Sequence, residues 1–117
     1  MKVLLIINDA PYGTEKAYNA LRLAMALQRE HADVQIAVFL MADAVTCALP
    51  HQSTANGYYN IERMLKAVLN KGGEVKACGT CINARGLTDL PLIEGVEAST
   101  MNQLAQWVVD SDRVMTF

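Results

Sequence analysis

Two cysteines stand two residues apart, Cys78 and Cys81, in the run CGTCINARG (residues 78–86), which also holds Gly79, Gly86 and Arg85 and no acidic residue. The thiolate is the reactive form of cysteine, so a working cysteine needs a pKa lowered by backbone N–H groups or a nearby cation. Cys78 follows a short strand-like run, Glu74–Ala77, and a glycine comes next. Thr80 could cap a turn running to Ala84, which would leave free N–H groups facing the Cys78 sulfur, with Arg85 adding positive charge. That pattern suits a nucleophilic or sulfur-carrying thiol at Cys78, with Arg85 as thiolate stabiliser and Cys81 as a candidate resolving thiol.

Three other chemistries use the same residues. A CxxC pair can act as a dithiol–disulfide couple, although thioredoxin-type motifs open a long helix and Gly86 interrupts this one within a few residues. Cys47 and His51, taken with Cys78 and Cys81, can be drawn as a Cys3His zinc site. Small cysteines also simply pack in interiors. Outside the motif, Tyr12, Asp43 and Cys47 are candidates to line the site. Each has a plainer role: Tyr12 as a packed aromatic, Asp43 as a cap for the AVTCAL segment, and His51 as a solvated loop residue.

These residues need a scaffold, and hydrophobic patterning supplies one. Lys2–Ile7 is a continuous apolar run of strand length, as in a parallel strand buried on both faces. Asn8–Gly13 is a loop, and Thr14 then caps a helix with Ala17, Ala20, Leu21, Ala24 and Leu27 on one face, ending near Glu30. Val34–Met41 is a second strand, Ala42–Tyr59 a long connection with a short helix in ADAVTCAL. Asn60 caps a helix carrying Ile61, Met64, Leu65, Val68 and Leu69, which Gly72 and Gly73 terminate. Glu74–Ala77 is the third strand and Val96–Ala98 a short fourth. Thr100 with Gln103 resembles a capping box for a helix carrying Met101, Leu104, Ala105 and Val108, and Arg113–Phe117 is the last strand. This alternation predicts one α/β domain over residues 1–117, a three-layer, Rossmann-like fold with a mostly parallel five-stranded sheet. Loops leaving parallel strands at their carboxyl ends share one edge. That edge would gather Cys47, Cys78 and Cys81 with Asp9, Tyr12, Asp43 and His51.

The bulk numbers narrow the function classes. The formal charge is −2 with no basic block, so no footprint for nucleic acid is present. No apolar run approaches the roughly 20 residues of a membrane span, and Met1–Ile7 lacks the makings of a signal peptide. The expectation is a cytoplasmic protein with reduced thiols. There is no GxGxxG or Walker pattern, and the chemistry calls for no cofactor. With hydrophobic residues at 52% of a short chain, the surplus favours a subunit interface.

CGTCINARG, with a cysteine ending the third strand ahead of Arg85–Gly86, resembles the DsrE/DsrF-like family. APYGTEKAYNALRLAMAL, VFLMADAVTCAL, GYYNIERML and AQWVVDSDRVMTF are similar to its YchN-like branch of small bacterial proteins. The resemblance implies a five-stranded parallel sheet flanked by helices, assembled as homotrimers or homohexamers. In the sulfur-relay members one cysteine carries a persulfide between donor and acceptor proteins, and the matching position is Cys78. If the chain is catalytic, the implied reaction is sulfurtransferase-type persulfide transfer. Cys81 departs from the relay pattern. Attack by Cys81, or by Cys47 if its loop closes, on a Cys78 persulfide would release sulfide. The alternatives are a CxxC dithiol oxidoreductase or an oligomeric binding or structural protein without thiol chemistry.

Overall fold

The computed structural model describes all of residues 1–117. Strand β1 (Lys2–Ile7) is the KVLLII run, followed by helix α1 (Lys16–Glu30), strand β2 (Gln35–Leu40) and a 3-10 helix at Ala42–Ala48. Helix α2 (Ile61–Asn70), strand β3 (Glu74–Cys78), helix α3 (Gly79–Ala84), strand β4 (Val96–Ser99), helix α4 (Met101–Asp110) and strand β5 (Arg113–Thr116) complete the chain. The sheet runs β4-β3-β2-β1-β5 and every pairing is parallel. It is therefore wholly parallel rather than mostly so. β1 and β2, which have strand neighbours on both sides, carry the longest buried apolar runs, as strands covered on both faces should.

The crossovers set the layers. From β1 to β4 the chain moves in one direction across the sheet, then returns from β4 to β5 at the opposite edge. Right-handed connections put helices of the outward run on one face and the helix of the return on the other. Accordingly α1 packs against α2, while α4 lays Trp107 edge-on against Phe39 of β2 at 6.0 Å. Lys2 and Lys76 place their ammonium groups over the Trp107 ring, at 5.8 and 5.4 Å. A core of 28 buried residues joins the layers.

The caps explain where elements stop. The Asn60 side chain accepts from the N–H of Arg63, capping α2. At its other end Gly73 N–H bonds to Val68 O and Gly72 N–H to Leu69 O, with Gly72 at φ 89°. This is the Schellman pairing that glycine makes cheap. The Thr100 hydroxyl accepts from Gln103 N–H at 3.2 Å.

Two sequence expectations fail here. Thr14 lies one residue ahead of the α1 cap position, Glu15, which has no side-chain bond; the Thr14 hydroxyl donates to Asp9 at 2.9 Å and accepts the Lys16 N–H only at 3.4 Å. On α4 only Leu104 and Trp107 are buried. Met101, Ala105 and Val108 face outward, because a ten-residue helix lying on a sheet buries a single narrow stripe.

Candidate functional site

Cys78 is the last residue of β3 and also the N-cap of α3. Its side chain, 5% exposed, accepts the N–H of Cys81 at 3.3 Å and lies 3.2 Å from the Thr80 hydroxyl. A β-carbon at Gly79 would stand 3.1 Å from Ser99 O, so glycine lets the chain turn into α3 hard against the end of β4. The residue pattern predicts Thr80 as the cap. In the structure the sulfur itself caps, and the Thr80 hydroxyl serves the sulfur.

Burial is the largest single influence on Cys78 and pushes its pKa up. The Cys81 thiol, the Thr80 hydroxyl and the N–H groups of Cys81 and Thr80 together outweigh it, so the Cys78 pKa is lowered from 9.0. Hydrogen bonds to the charged form do this without a cation. Cys81 moves the other way. Burial raises its pKa, and so does its hydrogen bond to Cys78, against the Ala42 N–H and the Arg85 charge. The two thiols are thus differentiated, Cys78 as the more acidic and Cys81 as the less acidic.

The loop after β2 closes over Cys81. Ala42 N–H donates to Cys81 Sγ at 3.3 Å, and Ala42 itself has φ 51°, a left-handed conformation costly for a non-glycine residue. Arg85 Nε and Nη2 each stand 2.9 Å from Asp43 Oδ1, and Nη1 donates to Cys81 O at 3.0 Å. The guanidinium therefore ties the 3-10 helix to α3. It acts on Cys81 and is not among the groups that lower Cys78. Gly86, at φ 69°, ends α3 by the same Schellman pairing: its N–H bonds Asn83 O, and Leu87 N–H bonds Ile82 O. The arginine–glycine pair thus has a structural reason beside any chemical one.

Of the other candidates, Cys47 is 1% exposed. Its sulfur lies 3.8 Å from Asp9 O, and burial pushes its thiol up to about 12. It connects the first and second loops but is a poor nucleophile. Tyr12 is held elsewhere. Its hydroxyl accepts from Ile61 N–H at 3.1 Å, and its ring packs against Tyr58 and Tyr59. Tyr59 stacks in turn on Tyr18 at 4.0 Å, so all four tyrosines of the chain form one cluster pinning the long connection to α1. His51 turns outward, its N–H donating to Glu62 at 2.7 Å. No three His, Cys, Asp or Glu side chains gather to hold a metal ion, so the drawn Cys3His set is not assembled within the chain. Ala42 was invisible beforehand, since nothing in its type announces a left-handed residue.

Relatives match the chain over nearly their whole length. Protein YchN of Escherichia coli K12 is 45% identical over 116 residues, 99% of this chain and 98% of that protein. The crystal structure of the E. coli ychN protein superposes with a TM-score of 0.94 over the same shares. Sulfurtransferase TusD of Cronobacter sakazakii is 28% identical over the full length of both chains. With the sequence profile of the DsrE/DsrF-like family matching residues 1–117, the chain belongs to that family.

Proposed function

We propose that the chain is a sulfur carrier that takes sulfur onto Cys78 as a persulfide. The observation that carries this is the Cys78 sulfur at the end of β3, which accepts the Cys81 N–H at 3.3 Å and lies 3.2 Å from the Thr80 hydroxyl, contacts that lower its pKa. Similarity to a protein named as a sulfurtransferase supports the same chemistry. The Cys78 thiolate attacks the outer sulfur of a donor persulfide. One S–S bond forms as the donor S–S bond breaks, and the donor leaves as its thiolate. The Cys81 and Thr80 groups that hold the thiolate also hold this geometry.

Donor and acceptor proteins are the expected partners, and the chain works in the cytoplasm as one domain in a homotrimer or homohexamer. Support for self-association comes from the apolar surface around Met101, Val109 and Val114, which are 59%, 80% and 41% exposed. No helix is long and apolar enough to cross a membrane.

The test is to mix reduced protein with a persulfide donor and count donor thiol formed. One equivalent per chain is expected, with sulfur mass retained on Cys78 in a Cys81→Ser background. Donor thiol formed equally by Cys78→Ser rejects the assignment. The same dithiol also favours a second reading, disulfide exchange without sulfur cargo. That reading wins if the protein turns over a small disulfide yet takes no sulfur from persulfides.

A further inference from the structure

The geometry points to a second activity at this site: Cys81 resolves the Cys78 persulfide within the same chain, so the protein releases sulfide and ends the cycle as a Cys78–Cys81 disulfide. This inference rests on the proposed loading of Cys78 and adds what becomes of the sulfur. A plain carrier needs one thiol and an exposed cargo. Here the accepting residue is 5% exposed, and its sulfur accepts the backbone N–H of a second cysteine, Cys81, at 3.3 Å. Cys81 is half-buried rather than sealed in the interior. Its sulfur accepts the Ala42 N–H at 3.3 Å, a bond from a strained residue at φ 51°. Arg85, fixed on Asp43 and on the Cys81 carbonyl, holds α3 and the 3-10 helix in this arrangement.

The step balances without an outside oxidant. Cys81 Sγ attacks Cys78 Sγ, the inner sulfur of the persulfide. A Sγ–Sγ bond forms, the bond to the outer sulfur breaks, and the electron pair leaves with that sulfur. The Cys81 proton passes to it, so the product is hydrosulfide. The two cysteine sulfurs are oxidised and the sulfane sulfur is reduced. Hydrosulfide is a weaker base than an ordinary alkyl thiolate and leaves correspondingly faster. A dithiol reductant then exchanges with the disulfide and restores both thiols, so the reaction sequence lies between a persulfide donor and a dithiol.

The order of the two thiols suits this sequence of steps. Burial and the neighbouring Cys78 raise the Cys81 pKa, against the lowering effect of the Ala42 N–H and the Arg85 charge, whereas the Cys78 pKa is lowered. Cys78 is the more acidic thiol and meets the donor first; Cys81 acts second.

The test loads the full-length reduced protein with a low-molecular-weight persulfide, removes the donor by rapid desalting, and follows sulfide and intact mass. Wild type should release one sulfide per chain in a first-order process independent of protein concentration, losing two hydrogens as peptide mapping finds Cys78 joined to Cys81. Cys81→Ser and Cys81→Ala should hold the sulfur on Cys78, with a lifetime longer by about a thousandfold at micromolar protein. That factor is the ratio of a millimolar effective concentration to the thiols available in trans. Retention of the persulfide by wild type for as long as by Cys81→Ser, without sulfide, overturns this inference and leaves the carrier reading standing. Failure of both proteins to take sulfur on Cys78 overturns both.

Discussion

Arg85 grips Asp43, not Cys78: Nε and Nη2 each lie 2.9 Å from one carboxylate oxygen. The positive charge that a CxxC-to-Arg spacing suggests for the first cysteine is spent on a latch between two loops, and its electrostatic effect falls on the second cysteine. The latch itself contributes little to stability, because Asp43 is 69% exposed and Arg85 31%, and such pairs yield about 1 kcal/mol or less.

Arg85→Ala should consequently leave the pH profile of Cys78 alkylation almost unmoved. In a Cys78→Ala background, the same change should raise the pH at which Cys81 alkylates. Rates of iodoacetamide labelling, read by peptide mass, give both numbers. A large rise at Cys78 in the otherwise unchanged protein would restore Arg85 as that residue's thiolate stabiliser. Urea denaturation should place Asp43→Asn within about 1 kcal/mol of wild type.

Thr80 is the more consequential neighbour. Its hydroxyl lies 3.2 Å from Cys78 Sγ and belongs to the group that brings the Cys78 pKa below 9.0. A hydrogen bond to a charged group contributes about 1.5 kcal/mol or more, which corresponds to roughly one pKa unit. Thr80→Val should therefore raise the apparent alkylation pKa of Cys78 by about one unit, while Thr80→Ser should restore it. Equal behaviour of the two variants would show that the hydroxyl plays no part.

How much of this was legible in advance depends on the reach of each interaction. β1 and β2 are plain as apolar runs and β3 as an alternation with Val75 and Ala77 on one face, and Asn60, Gly72 and Thr100 mark helix ends, because those signals are local. The gathering of the Cys47, Cys78 and Cys81 loops followed from parallel topology. The orientation of α4 did not. Met101, Val108 and Val109 are as apolar as Leu104 and Trp107, and only the sheet beneath decides which of them is covered. The tyrosine cluster joins positions as far apart as Tyr12 and Tyr59, and the left-handed turn at Ala42 has no glycine to announce it.

Cys47 gives the protein an alkaline weak point. Its thiol is pushed up to about 12 by burial, whereas an unfolded cysteine ionises near 8.5. A raised pKa stabilises the fold fully below the unfolded value, and that stability is lost as pH rises toward about 12. Cys47→Ala should cost about 1–2 kcal/mol near neutrality through the lost sulfur volume. The gap to wild type should then narrow by about 1.4 kcal/mol for each pH unit above roughly 9. Urea midpoints measured at about pH 7 and about pH 10 check this. A gap that stays constant would mean that Cys47 ionises as readily in the fold as in the unfolded chain.

Val109 tests the assembly. It is 80% exposed on α4, two residues beyond Trp107, which is 5% exposed, so the two report on different things. Trp107→Ala removes a ring packed on Phe39 and under two lysines, and should cost about 3–5 kcal/mol at any protein concentration. Val109→Lys touches no core residue and should leave the isolated subunit within about 0.5 kcal/mol of wild type. If α4 forms part of a subunit interface, a lysine there desolvates a charge, and sedimentation should show smaller species than wild type at equal concentration. Identical sedimentation of the two proteins would place the interface on another face of the subunit.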